Sequence, residues 1–212
     1  MNQANQPDLP LRTGGIILAG GRSSRMGRSK AHLPFGDELM LPRVVRLLKT
    51  VVEPVVVIGA PDQDLPDLDA DVAIGRDEIA ERGPLQGLAS GLSMLQGRCN
   101  AAYACSCDVP LLEPRFVRRM VELLGDGDIA VPHVDDYHHP LAAVYRLTVL
   151  PHVESLLASD RRRPVFLFDL VSTRIVSANE LLPVDPDLRS LRNCNRPEDY
   201  GGALEDAGLR AP

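Results

Sequence analysis

The sequence predicts a three-layer α/β/α fold around a mostly parallel, Rossmann-like sheet. Two observations carry the prediction. Short continuous apolar runs, of the kind strands buried on both faces require, alternate with segments whose apolar residues recur at helical spacing. The length of 212 residues is enough for one sizeable core and short for two.

The elements follow in order. Gly15-Ile16-Ile17-Leu18 is an apolar run that stops at Gly20 and Gly21, and it reads as a buried strand. Residues 39–50 read as a helix, with Val44, Val45, Leu47, Leu48 and Val51 spaced for one face. Residues 54–59 give a second buried strand, and residues 71–74 a weaker third. Pro84 sits where a helix can begin, and Leu88, Leu92 and Leu95 continue it to Gly97. Residues 101–105 form a fourth strand, and residues 116–124 a helix closed by Gly125. Strands at 129–131 and 141–145, a helix at 149–158 and a strand at 173–176 complete the alternation. A last helix opens at Pro197 and runs to about Ala207, with Asn195 as its expected cap. In such sheets ligands lie beyond the C-terminal ends of the strands. The informative loops are therefore those after Leu18, Ile74 and Cys105; residues 61–71, rich in Asp and Pro, read as a surface loop.

Composition narrows the function classes. The chain is 44% hydrophobic and 25% charged, which is ordinary globular material. Its net charge of −6 makes it a poor candidate for non-specific nucleic-acid binding. No apolar run is long enough to cross a bilayer. Residues 1–14 are polar and proline-containing, without a basic start and apolar stretch, so a secretory signal is not expected. The expectation is a cytoplasmic chain with a flexible tail at residues 1–13 and one domain over residues 14–212. Four cysteines, Cys99, Cys105, Cys107 and Cys194, include no Cys-x-x-Cys pair and read as reduced thiols.

The first loop carries the strongest chemical signal. Leu18-Ala19-Gly20-Gly21-Arg22-Ser23-Ser24-Arg25-Met26-Gly27-Arg28-Ser29-Lys30 follows the first strand directly. Glycines let backbone N–H groups approach an anion, and Arg22, Arg25, Arg28 and Lys30 set four cations in an otherwise acidic chain. That pattern points to phosphate. It is neither a Walker loop, since Gly27 and Lys30 are separated by two residues, nor the dinucleotide fingerprint. A glycine-rich turn with solvated basic residues is the alternative, and the position after a buried strand favours phosphate.

The string L-A-G-G-R-S-S-R-M-G-R-S-K resembles the signature of the molybdenum cofactor guanylyltransferases, within the wider nucleotidyltransferase family. The resemblance runs from Gly15 to about Ala207 and implies a nucleotidyltransferase sheet and Mg²⁺-dependent transfer of GMP from GTP to molybdopterin. It implies Leu18, Ala19, Gly20, Gly21, Lys30, Asp77, Gly83 and Asp108 as nucleotide contacts, and Arg25, Lys30 and Asp108 as catalytic groups. Gly20, where relatives carry alanine, is associated with guanine, and a missing Cβ beside the base is a physical cause for admitting the larger ring. Asp77 with Arg82-Gly83-Pro84-Leu85-Gln86-Gly87 matches a family aspartate and a G-P-L-x-G segment. Cys107-Asp108-Val109-Pro110 matches C-D-x-P, whose aspartate binds magnesium; one carboxylate plus phosphates and water suits Mg²⁺.

On the acceptor side the resemblance implies His139 before Pro140, Arg162 within Arg161-Arg162-Arg163, and Asn193 and Asn195 within N-x-N-x-P-E-D. His139 fits a surface turn equally well, the arginines fit a solvated face, and Asn195 fits a helix cap. Partners implied are GTP and molybdopterin, with molybdenum-insertion proteins and apo-molybdoenzyme chaperones. One departure stands out: where the family often has asparagine after its second strand, this chain has Val57-Ile58-Gly59-Ala60. A CTP-dependent sister enzyme, a sugar- or alditol-phosphate transferase and a non-catalytic nucleotide-binding subunit are the competing readings.

Overall fold

The structure is a computed structural model, and it describes residues 11–20, 29–77 and 83–210. Strand β1 (Thr13–Leu18) is followed by a short hairpin of β2 (Pro34–Phe35) and β3 (Glu38–Leu39), then helix α1 (Met40–Lys49). Next come β4 (Val55–Gly59), β5 (Ala73–Arg76), α2 (Pro84–Leu95), β6 (Ala101–Ser106) and α3 (Pro114–Leu124). The second half holds β7 (Ile129–Val134), β8 (Tyr137–His138), β9 (Ala142–Arg146), α4 (Leu150–Ala158) and α5 (Val165–Phe168). It closes with β10 (Thr173–Ser177), α6 (Ala178–Leu181) and α7 (Pro197–Asp206).

The main sheet runs β10-β7-β9-β6-β1-β4-β5, with β8 hydrogen-bonded to β7. β6, β1, β4 and β5 are parallel neighbours, as are β7 and β10. β9 is antiparallel to both β6 and β7. The sheet is mostly parallel, as the sequence predicts, and the antiparallel strands are β9 and the two-residue β8. Because β9 returns between two parallel strands, its start lies at the C-terminal ends of β6 and β7, with Ala142 opposite Cys105.

Strand side chains alternate between two cores, as the pleat requires. Ile17, Val57, Tyr103 and Cys105 face α1 and α3, while Ile16, Val56, Ala102 and Ala104 face α2 and α4. This is the three-layer arrangement. A third cluster of Leu33, Phe35, Met40, Leu111, Cys194, Ala203 and Leu204 docks α7 beside the β2–β3 hairpin. Tyr200 Oη donates to the Pro34 carbonyl across that junction.

Three expectations need correction. The third strand is β5 at Ala73–Arg76, two residues later than 71–74, because Val72 turns inward while Asp71 pairs with Lys49. The tail does not extend through residue 13. Thr13 is part of β1, and Arg12 is tied down by its N–H to Asn100 Oδ1 at 2.8 Å. Asn195 does not cap α7: the cap residue is Arg196, and the Asp199 carboxylate accepts from the N–H groups of Asn195 (3.0 Å) and Arg196 (2.8 Å).

Candidate active site

The site lies along the edge formed by the C-terminal ends of β7, β6, β1, β4 and β5 and the start of β9. Its centre is Asp108, two residues past β6 and 5% exposed. Asp108 Oδ2 accepts from Lys30 Nζ at 2.6 Å. Asp108 Oδ1 accepts from Asn193 Nδ2 at 2.8 Å and, in a short contact, from Ser106 Oγ. Asn193 Nδ2 also donates to Ser106 Oγ at 2.8 Å. Lys30 Nζ donates in addition to Asn195 Oδ1 at 2.7 Å, and the Cys194 N–H donates to the Asp108 carbonyl at 2.9 Å. Residues from both ends of the chain thus converge on one carboxylate. Lys30 arrives on a 3₁₀ turn after the first loop, and Asn193 to Asn195 are carried by the segment that leads into α7.

The donor set fits a hard divalent cation. Asp108 offers one carboxylate at a strand end, and Mg²⁺ is commonly held by one or two carboxylates and completed by phosphates and water. Among the described residues there is no group of three or more His, Cys, Asp or Glu that could cage a metal by itself. Cys105 and Cys107 are packing residues, as expected. Both are buried, and burial pushes the Cys107 thiol up to about 12.

The residues expected to hold the nucleotide are placed by β1, β4 and β5. The Ala19 and Gly20 N–H groups both donate to Ile58 O, at 2.8 and 3.3 Å, and the Cys107 N–H donates to Leu18 O. Of the first-loop backbone groups, these two N–H donors are therefore directed at β4 and not at a ligand. Gly21 and Arg25 lie outside the described residues. A Cβ on Gly20 would sit 3.3 Å from the Ala60 nitrogen, so the missing methyl faces the end of β4 and not open space. That same Ala60 N–H donates to Gln63 Oε1 at 3.0 Å, and Gln63 Nε2 donates to Ala19 O at 2.8 Å. An alanine at residue 20 would therefore press on the Gln63 clasp.

Asp77 follows β5, with its N–H on Gly59 O and Ser90 Oγ of α2 on its carboxylate at 3.1 Å. Burial raises its pKa, and the Ser90 bond offsets this only in part. Gly83 caps α2 at φ 79°, ψ 180°, a region that strains any residue with a Cβ. The Arg162 carbonyl lies 3.7 Å from where that Cβ would be. The arginine run thus borders the start of α2, while the Arg162 side chain is paired with Asp160 at 2.6 Å.

The acceptor-side residues divide into two groups. Asn193 and Asn195 are at the centre, bonded to Asp108 and Lys30. His139 stands apart at the β7–β8–β9 end, its N–H on Pro132 O at 2.9 Å. Burial lowers its pKa, as it does for His138. The His138 ring packs at a tilt against His133 and against Phe168, with ring centroids 4.7 and 5.3 Å away.

Sequence reasoning missed Ser106, Ser90 and Gln63. Ser106 could have been found from its place between the strand and Asp108. Gln63 gave no signal, because it lies in a loop that composition marks only as surface.

A mostly parallel α/β sheet with a lysine-paired carboxylate beyond a central strand defines a nucleotidyltransferase-type enzyme. Comparison with known proteins makes the class specific. The family model described as the MobA-like NTP transferase domain matches residues 15–173, and the chain belongs to that family. A probable molybdenum cofactor guanylyltransferase of Pelotomaculum thermopropionicum is 34% identical over 193 residues, covering 89% of this chain and 90% of its own. One of the same name from Methanothermobacter thermautotrophicus is 37% identical over 191 residues, covering 86% and 94%. Among solved structures, molybdopterin-guanine dinucleotide biosynthesis protein A from Archaeoglobus fulgidus shares the fold. It has a TM-score of 0.75 at 18% identity, over 92% of this chain and 98% of that one. Among the described residues no helix is long and apolar enough to cross a membrane.

Proposed function

We propose that the chain transfers GMP from GTP to molybdopterin, releasing pyrophosphate. The observation that carries this reading is the convergence of Lys30 and Asn193 on Asp108, with Asn195 holding Lys30, between the first-loop strand and the β9 start. The names of the relatives, at 34–37% identity over most of the chain, support the choice of donor and acceptor.

The acceptor's terminal phosphate oxygen attacks the α-phosphorus. A new P–O bond forms as the bond to the β-phosphate breaks, and pyrophosphate leaves with its electron pair. The nucleophile is already an anion, so no general base is required. Asp108 would hold Mg²⁺, whose charge neutralises the phosphate oxygens. Lys30 stands beside that carboxylate, within reach of charge that grows on the leaving group, and acts by electrostatic stabilisation. Ser106 and Asn193 fix the carboxylate. Asp77 accepts from the nucleoside, and the chain around Ala19, Gly20 and Gln63 shapes the base site. Arg25, outside the described residues, would supply a second cation to the phosphates. His139 and Arg162 would serve the acceptor side.

The test is pyrophosphate release with Mg²⁺ and each of GTP, CTP, ATP and UTP, with and without molybdopterin. The expected result is release only with GTP plus the pterin, reduced about 100-fold or more by Lys30→Ala. Release with CTP would assign the sister activity, and full turnover in Lys30→Ala would remove the assignment.

A further inference from the structure

Lys30 occupies a singular position. Its ammonium lies 2.6 Å from Asp108 Oδ2 and 2.7 Å from Asn195 Oδ1, and the two charged side chains are only 17% and 7% exposed. Asp108 Oδ1 is occupied by Ser106 and Asn193, which leaves Oδ2 as the oxygen turned to a cation. Asn195 is itself held. Its backbone N–H donates to Asp199 Oδ2, so α7 anchors the backbone that carries the amide. An amide oxygen, not the nitrogen, must face an ammonium, because lysine only donates.

We propose that Asn195 is a positioning residue for Lys30, and that the ammonium it holds occupies the cation position at Asp108 until a nucleotide-bound divalent cation displaces it. This rests on the reading of Asp108 as the cation ligand. A divalent ion at about 2.1 Å from Oδ2 would share that oxygen with the ammonium. Two positive charges so close repel strongly where water is largely excluded. A free divalent cation brings nothing to offset this. A cation carried on a triphosphate brings negative oxygens, and these give Lys30 a new partner as it leaves Asp108. The free protein therefore discriminates against the bare metal and accepts the metal–nucleotide complex, which imposes an order on binding.

The test is Mn²⁺ binding to the nucleotide-free, full-length protein, read by electron paramagnetic resonance. The wild type binds weakly. Lys30→Met, and Lys30→Gln as a second variant of similar length, bind at least about tenfold more tightly. Adding Asp108→Asn to either removes the gain. Asn195→Ala tightens Mn²⁺ about threefold in the wild-type background and has no effect in Lys30→Met, as a residue acting through Lys30 must behave. Equal effects of Asn195→Ala in both backgrounds would overturn its positioning role. Unchanged Mn²⁺ affinity in both Lys30 variants, with Asp108→Asn still weakening Mn²⁺–GTP binding, would overturn the displacement and leave the cation reading intact. Asp108→Asn without effect on either Mn²⁺ or Mn²⁺–GTP would overturn both.

Discussion

Asp77 is a carboxylate whose surroundings favour its neutral form. Burial raises its pKa above the ordinary aspartate value of 3.8. The folded state therefore holds the proton more tightly than the unfolded state does. Stability contributed by this group is fully present below that value and is lost as pH rises through the folded pKa. At neutral pH the ionised carboxylate costs the ligand-free protein stability, a cost that donors on a nucleoside can offset. Asp77→Asn is expected to raise the melting temperature at neutral pH by about 1–3 °C and to leave it unchanged at low pH. The same change raises KM for the nucleotide. Calorimetry across pH checks the first point, and a lower melting temperature at neutral pH would contradict it. At this scale the sequence was legible for Lys30 and Asp108, which stand in dense motifs. It was not legible for Gln63, because its role is set by which neighbour folds against it, and Ser106 showed only by its place beside Asp108. Asn195 shows the limit clearly: its motif position suggested a cap, and the stronger local acceptor, the Asp199 carboxylate, holds that helix start instead.

Among the elements, α2 and α7 bring the two sides of the site into place. α2 begins at Gly83 with φ 79° and ψ 180°, so Gly83→Ala is expected to cost about 1–3 kcal/mol in urea unfolding. A loss below about 0.5 kcal/mol would mean that the turn relaxes without strain. α7 is docked through Ala203 and Leu204 onto Leu33, Phe35, Met40 and Leu111. Leu204 is 1% exposed, and Leu204→Ala is expected to cost about 2–5 kcal/mol. The helices and most strands were legible because their apolar spacing matches one geometry. The β2–β3 hairpin was not, since two-residue strands carry no period. Nor was the reversal of β9: an apolar run reads the same in either direction, and direction is fixed only by how the chain crosses the sheet.

For the whole molecule, the site depends on contacts that close late in sequence. Lys30 and Asn195 are 165 residues apart and bonded to each other, and Lys30 meets Asp108 near the middle of the chain. The strands around β1 and β6 form the deepest core, while the segment 193–195 is held by a few hydrogen bonds and by α7. Local opening should therefore remove the clasp before the sheet melts. In a urea titration, activity is expected to fall at lower denaturant than the far-ultraviolet circular dichroism signal. Coincident curves would show that α7 and the sheet unfold as one unit.

The reversed strand β9 also acts as a ruler. Neighbouring strands lie about 4.8 Å apart, so one strand placed between β6 and β7 moves the histidine end of the edge outward by about that much. Five such steps separate β7 from β5 in the order of the sheet, a reach of roughly 24 Å from His133 to Asp77. A product made by joining two bulky halves through phosphates needs a long, shallow berth with its reacting bond near the middle. Asp108 stands on that line, with β7 and β9 to one side and β1, β4 and β5 to the other. If the proposed transfer holds, the width of the sheet edge bounds how large the joined molecule can be.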